Sequence, residues 1–222
     1  MIRQPPRSTA PRLVAMSAVL SCVCLALLGV RAHLAGTDFY SYMAWNLFLA
    51  WTPIVLAIVF VSLPPRFRGV KAVVCALWLL FLPNAPYMVT DMIHLGDHPG
   101  APAWFDVVMF ASFAACGVAL GYSSLVLVRS RLFAGRRPLA RDLFSVGVLA
   151  SAAFGVSLGR IAHWNSWDVL SRAPSPAQAD RAFSLPVLVF AALFALGLLL
   201  GYVLLVHDWD APVAPRAEST RS

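Results

Sequence analysis

Six apolar stretches, each about as long as a membrane is thick, constrain this chain more than any other feature. A helix rises about 1.5 Å per residue and the hydrocarbon core is about 30 Å thick, so one crossing needs roughly 20 apolar residues. The stretches are residues 13–30, 43–63, 72–95, 107–128, 143–159 and 185–206. With 60% hydrophobic and 12% charged residues, the chain lies outside the range of soluble globular proteins. We predict an all-α integral membrane bundle of about six transmembrane helices.

The segments between these stretches are too short for a separate soluble domain. We predict an N-terminal segment (1–12), a transmembrane helical domain (13–206) and a C-terminal tail (207–222). The first stretch follows a basic leader, as in a signal peptide, but it is longer than a usual apolar signal core. Arg31 also stands where small residues would precede a cleavage site. We therefore expect an uncleaved helix.

The basic residues are distributed asymmetrically about the predicted bundle. Thirteen of the 17 lysines and arginines fall on one side: Arg3, Arg7, Arg12, Arg66, Arg68, Lys71, Arg129, Arg131, Arg136, Arg137, Arg141, Arg216 and Arg221. Because cytoplasmic loops carry the excess of basic residues, both termini are predicted to be cytoplasmic. An even number of spans agrees with this topology. The net charge of +7 is thus interpreted as a consequence of membrane topology and not as a sign of nucleic-acid binding.

Small residues recur at four-residue spacing in the last three stretches. The pairs are Gly117/Gly121, Gly155/Gly159 and Gly197/Gly201, and Gly147 and Ser151 extend the second pair into a stripe. Such faces allow membrane helices to approach closely. They predict packing within one chain, with a homo-oligomer as the alternative.

The third stretch is interrupted by proline within the bilayer. Pro83 and Pro86 lack an N–H group, so the carbonyls of Leu79 and Leu82 lose their usual helical donors. We predict that the third helix is broken at Pro83/Pro86. A second half-helix capped by Asn84 would point its positive end at the break and form a candidate anion site. The alternative is a proline kink repaired by neighbouring helices.

Polar residues follow the break. Asp91 and His94 are three residues apart, and His94 and His98 four, so they would share a face if the helix continued. Asp91 and His94 are candidate general bases. With His98 they are also candidate zinc ligands, but no ligand motif is present and we predict no metal. The cysteines lie inside apolar stretches, where they behave as small hydrophobes.

A second polar group follows the fifth stretch. Arg160 is placed near the outer interface, within reach of a phosphate or carboxylate, and an ionisable group at that depth is a functional candidate. Both groups leave helices of the same direction, so they are expected to converge at the extracytoplasmic face, where Asn46 could join them. The predicted ligand-binding residues are Asn84, Tyr87, Asp91, His94, Arg160, His163, Asn165 and Asp168.

Two strings carry a family resemblance: LPNAPYMVTDMIHL at 82–95 and GRIAHWNSWD at 159–168. They closely resemble the hallmarks of a family of bacterial multi-pass membrane proteins, domain of unknown function thirteen sixty-one. The resemblance extends from the second stretch through the sixth. The family more often has Arg where this chain has His163, which weighs against a proton-transfer role there. The resemblance implies a multi-pass protein of the bacterial inner membrane, but it implies no chemistry.

We therefore expect a membrane protein that binds or transports a small polar or anionic ligand, or a lipid head group, at its outer face. One alternative is a membrane enzyme, metal-dependent or not, that acts on a lipid-linked substrate. Another is an assembly or scaffold protein whose polar clusters only position helices. No motif specifies a reaction or a cofactor. Membrane lipid is the expected surrounding partner.

Overall fold

A computed structural model describes residues 9–135 and 137–206 of the chain. Its helices are α1 (Thr9–Ala35), α2 (Tyr42–Ser62), α3 (Arg68–Phe81), α4 (Asn84–Tyr87), α5 (Ala103–Leu132), α6 (Pro138–Arg160), α7 (Asp168–Ser171), α8 (Pro176–Ala182) and α9 (Leu185–Leu205). Short 3-10 helices precede α2 (Phe39–Ser41) and follow α4 (Met88–His94). Most of the predicted segments 1–12 and 207–222 lies outside the described residues.

Within the described part of the chain, six helical segments are long and apolar enough to cross a membrane. They are Val14–Ala35, Phe39–Ser62, Arg68–His94, Ala103–Leu132, Pro138–Arg160 and Leu185–Leu205. The predicted all-α bundle of about six membrane-spanning helices is confirmed, and the chain is a multi-pass membrane protein. Several helices extend beyond their apolar stretches, because helical hydrogen bonding continues until a residue such as Gly36, at φ 63°, ends it.

Successive long helices alternate in direction. Helices α1 and α6 finish at one end of the bundle, where α2, α5 and α9 begin. We call this end the site end. At this end, Arg31 in the last turns of α1 forms an ion pair with Asp106 in the first turn of α5. Helix α5 packs against α1 and α2, α3 packs against α2, and α9 packs mainly against α6. The side chains of Phe110, Phe113 and Leu120 on α5 are fully buried, so α5 is the centre of the bundle.

The third span is broken where the prolines predict it. Helix α3 ends at Phe81, and the chain continues through α4 into the 3-10 helix; we call residues 82–94 the broken segment. The Leu82 carbonyl accepts a hydrogen bond from the Ala85 N–H at 3.2 Å, and the Pro83 carbonyl accepts one from the Tyr87 N–H at 3.0 Å. Local turns thus supply partners for carbonyls near the break.

The expectation that Asn84 caps a second half-helix is wrong. Pro83 occupies the capping position in a right-handed helical conformation, and no side chain caps α4. Helix α4 has only four residues, so it has no appreciable macrodipole. The break therefore offers no helix end to an anion.

The broken segment packs on one side against two glycines of α5. A Cβ atom on Gly117 would overlap the Ala85 carbonyl oxygen, and one on Gly121 would lie 3.4 Å from the Ala85 Cβ. The backbone of α4 therefore lies directly against α5, which only glycine permits at position 117.

On its other side, the broken segment packs against two glycines of α6. A Cβ atom on Gly155 would overlap the Pro83 ring, and one on Gly159 would lie 3.2 Å from the Tyr87 ring. The small-residue pairs of α5 and α6 thus pack within one chain, as predicted. They hold the broken segment between two full-length helices.

Other members of the small-residue pattern have different surroundings. A Cβ atom on Gly201 would lie 2.7 Å from the Tyr122 hydroxyl. One on Gly147 or Gly197 would have no neighbour within 4 Å among the described residues, and Ser151 is exposed. A homo-oligomer formed through these open positions stays a prediction.

Candidate functional site

Arg160, the last residue of α6, organises a polar network at the site end. Its Nη2 donates to the Asp91 carboxylate at 2.6 Å, and its Nε donates to the Thr90 hydroxyl at 2.9 Å. Nη2 also donates to Thr90. The guanidinium carbon lies 4.5 Å from the centre of the Tyr87 ring, a cation–π arrangement. Arg160 therefore links α6 to the broken segment.

Asp91 is the buried acceptor of this network. One carboxylate oxygen accepts from Arg160, and the other accepts from the Asn46 amide of α2 at 2.8 Å. A buried carboxylate is tolerated when its charge is paired and its oxygens are hydrogen-bonded, as they are here. Asn46 joins the network as expected, so three parts of the bundle meet at Asp91.

His94 extends the network towards the surface. Its Nδ1 lies 2.7 Å from an oxygen of Asp97, and its Nε2 lies 3.4 Å from Nη1 of Arg160. Because a guanidinium can only donate, Nε2 is the acceptor, and the Nδ1–H donates to Asp97. Side-chain exposure rises from 2% at Asp91 through 17% at Arg160 and 35% at His94 to 45% at Asp97. The polar groups form a continuous path from interior to surface.

The donors of Arg160 are unequally used. Nε and Nη2 donate to Thr90 and Asp91 on the buried side. Among the described residues, Nη1 makes only the long contact to His94. An arginine has five N–H donors in a rigid fork, so Nη1 keeps donor capacity next to the partly exposed His94.

A second ion pair, which sequence reasoning missed, anchors the neighbouring loop. The fully buried Arg31 donates to Asp106 at 3.1 Å and to the His98 carbonyl at 2.6 Å. The guanidinium lies 4.6 Å from the Tyr40 ring centre, and the Tyr40 hydroxyl donates to the His94 carbonyl at 3.0 Å. Arg31 directly follows the first apolar stretch, and its partner was not readable from sequence.

The residues after Arg160 are only partly associated with it. Asp168 accepts a hydrogen bond from the Asn165 N–H at 2.9 Å and pairs with Arg172 at 3.1 Å. His163 is exposed, adopts a left-handed φ of 54°, and its carbonyl accepts a hydrogen bond from Gln178. In the described part of the chain, no hydrogen bond links His163 or Asp168 to Arg160. The two predicted clusters therefore meet through Arg160.

Three further predicted positions lie around the network. Tyr87 is the ring beneath the guanidinium, and the Asn165 side-chain oxygen lies beside Gly159, which also contacts Tyr87. The Nδ2 atom of Asn84 is buried, without a hydrogen-bond partner among the described residues. The Tyr87 carbonyl also accepts a hydrogen bond from the Thr90 hydroxyl at 2.6 Å, whereas among the described residues no hydrogen bond joins the side chains of Asn84 and Asn165 to the network.

The candidate zinc ligands do not form one group. The ring centres of His98 and Phe39 are 4.7 Å apart, and His94 is engaged by Asp97 and Arg160. Over residues 9–135 and 137–206, no group of three or more His, Cys, Asp or Glu side chains is arranged to hold a metal ion.

Acidification is expected to loosen the turn at Asp168. The hydrogen bond from the Asn165 N–H, helped by Arg172, holds the pKa of Asp168 below its ordinary value of 3.8. A carboxylate with a lowered pKa stabilises the folded turn fully above its unfolded pKa and loses that contribution as pH falls through the folded pKa. Carboxyl NMR in micelles should show the Asp168 resonance titrating below pH 3.8, with the Asn165 amide shifting in parallel. A parallel amide shift in Asp168→Asn would contradict the assignment.

Comparison with known proteins identifies one family. The model of the family described as "Protein of unknown function (DUF1361)" matches residues 45–179. The matched region contains Asn46, the broken segment and Arg160, whereas Arg31 lies before it. No curated protein and no solved structure matches the chain.

Proposed function

This chain belongs to the DUF1361 family, and we propose that its Arg160 network binds an anionic group at the membrane surface. The group is a phosphate or carboxylate, carried by a lipid head group or by a small polar solute that is bound or transported. Nη1 of Arg160 is the proposed anchor, and His94 is the adjoining residue.

The observation that carries this proposal is the orientation of the guanidinium. Asp91 and Thr90 engage its Nε and Nη2 atoms, which fixes the side chain before any ligand arrives. Nη1 lies 3.4 Å from Nε2 of His94, whose side chain is partly exposed. Such preorganisation lowers the cost of ordering the site on binding, and arginine suits the oxygens of phosphate and carboxylate.

The proposed orientation places this site outside the cytoplasm. The loops at the opposite end carry the excess of basic residues, and the positive-inside rule assigns that end to the cytoplasm. The site then faces the periplasmic side of a bacterial inner membrane, with both termini cytoplasmic. A cysteine placed at exposed Gly96 should react with an impermeant maleimide in intact spheroplasts, whereas one at exposed Arg68 should react only after lysis.

Binding can be tested without leaving a buried charge unpaired. In the double variant Arg160→Gln/Asp91→Asn both charges are removed and hydrogen-bonding groups are kept. We expect its affinity for inorganic phosphate and short-chain phosphatidylglycerol in detergent micelles to fall at least tenfold. The exposed variant Arg172→Ala is the control and should bind as the wild type does.

Thermal unfolding of the double variant shows whether the variant is folded, so that a loss of binding can be assigned to the site. If the variant has a wild-type melting profile and undiminished binding of both probes, the anion site is not at Arg160. If the wild type binds neither probe and no other phosphate-bearing head group, the proposal fails.

A second function is favoured by the pairing of His94 with Asp97. In that arrangement a carboxylate orients an imidazole whose Nε2 lone pair, now in long contact with Nη1 of Arg160 at 3.4 Å, can take a proton, as in a general base. The enzyme alternative assigns this role to His94 with a lipid-linked substrate held by Arg160. His94→Gln should then abolish turnover while leaving phosphate affinity within about threefold. Loss of both together would favour a purely binding role.

A further inference from the structure

The charges at the site end are mostly acidic, although the proposed anchor is basic. The described residues there include six aspartates and four arginines: Asp38, Asp91, Asp97, Asp106, Asp168 and Asp180, with Arg31, Arg160, Arg172 and Arg181. Three of the arginines are used in ion pairs with Asp106, Asp91 and Asp168. Outside those pairs stand three aspartates and Arg181. The site end therefore has a net negative charge.

One of these aspartates is separated from the anchor by a single imidazole ring. Asp97 contacts Nδ1 of His94, and Arg160 contacts Nε2 of the same ring. A carboxylate and a guanidinium thus lie on opposite edges of one imidazole. Within the described part of the chain, no hydrogen bond reaches the second oxygen of Asp97, and the side chain is almost half exposed.

This juxtaposition is unfavourable for a plain anion. An anion bound at Nη1 would experience repulsion from Asp97, and the charge of Arg160 is already offset by Asp91. A ligand that also carries a positive group would convert this repulsion into an ion pair. Charge complementarity therefore selects for a ligand with both signs.

We infer that the ligand is a zwitterion with an acidic group and a primary ammonium group. This inference rests on the proposed function. The acidic group accepts from Nη1 of Arg160, and the ammonium donates to the second oxygen of Asp97. A primary ammonium has three N–H donors for a carboxylate, whereas a quaternary ammonium has none. Phosphoethanolamine has this chemistry, either as a lipid head group or as a free solute.

The apolar neighbours of the network are relevant to the source of the ligand. Met92 and Ile93, between Asp91 and His94, are exposed, and Ile93 is 65% exposed. An acyl chain attached to the zwitterion would contact such side chains. Comparing lipid and soluble forms of one head group therefore separates the two sources.

The test compares head groups on one protein. Full-length protein in detergent micelles is titrated with short-chain phosphatidylethanolamine, phosphatidylglycerol and phosphatidylcholine, and with soluble phosphoethanolamine and inorganic phosphate. We expect phosphatidylethanolamine to bind at least tenfold more tightly than either other lipid. Comparable binding of phosphoethanolamine would indicate a soluble ligand, and much weaker binding would indicate a lipid.

Asp97→Asn is the diagnostic variant because its position is exposed and its loss should not unfold the bundle. It should remove the preference for phosphatidylethanolamine while phosphatidylglycerol binding is retained or improved. Asp180→Asn, on exposed α8, is the control and should keep the preference. Equal affinity of the wild type for phosphatidylethanolamine and phosphatidylglycerol would overturn the zwitterion and leave the anion site intact. Absence of all binding would overturn the proposed function itself.

Discussion

Gly155→Ala is expected to destabilise the folded bundle by about 1–3 kcal/mol, or more if the segment cannot shift. A Cβ atom at this position would overlap the Pro83 ring, which is part of a stiff, buried backbone and cannot rotate away. Docking of the broken segment against α6 would therefore be disturbed, together with the approach of Thr90 and Asp91 to Arg160. Reversible unfolding in mixed micelles, followed by circular dichroism, measures the loss.

Gly147→Ala is the matched control on the same helix. It lies eight residues before Gly155, and a Cβ atom added there would have no neighbour within 4 Å among the described residues. Its stability should be unchanged or slightly raised, since alanine is the better helix former. If Gly155→Ala and Gly147→Ala had the same stability, close packing at Pro83 would not be the role of Gly155.

Arg160→Ala is expected to cost about 3–5 kcal/mol, because it leaves the buried Asp91 carboxylate without its cationic partner. The physical reason is desolvation: among the described residues, Asp91 would keep only the Asn46 amide as a side-chain donor, and an unpaired buried charge is expensive. Adding Asp91→Asn should restore most of the lost stability. A double-mutant cycle across the two positions gives their coupling free energy.

The exposed pair Arg172–Asp168 supplies the comparison. The Arg172 side chain is 56% exposed, so Arg172→Ala should cost between about 0 and 1 kcal/mol. An Arg160→Ala variant as stable as Arg172→Ala would show that Asp91 is hydrated or protonated in the folded protein and would remove the ion pair from the network.

The span pattern was predictable because its causes are local. Apolar length alone identifies the six crossings, and the missing N–H groups of Pro83 and Pro86 identify the broken span. The Asn84 prediction failed for an equally local reason, since the chain remains helical through Pro83 and leaves no capping position at Asn84.

The residues of the network could be identified individually but not as partners. Arg160 and Asp91 are 69 residues apart in sequence, and Arg31 and Asp106 are 75 apart. Charge and burial predict that each needs a partner, but several candidates satisfy that need equally. His163 shows that closeness in sequence does not ensure contact. It follows Arg160 by three residues, but it has a left-handed backbone conformation and an exposed side chain. That side chain makes no hydrogen bond to Arg160.

The sequence by itself determined the class of protein, the number of membrane crossings and the place where one of them breaks, because hydropathy and proline geometry act over a few neighbouring residues. Only the tertiary structure decided that glycines of α5 and α6 enclose the break and that Asn46, Asp91, Arg160 and His94 form one network. The reason is that such contacts join distant segments, and their geometry depends on how whole helices pack.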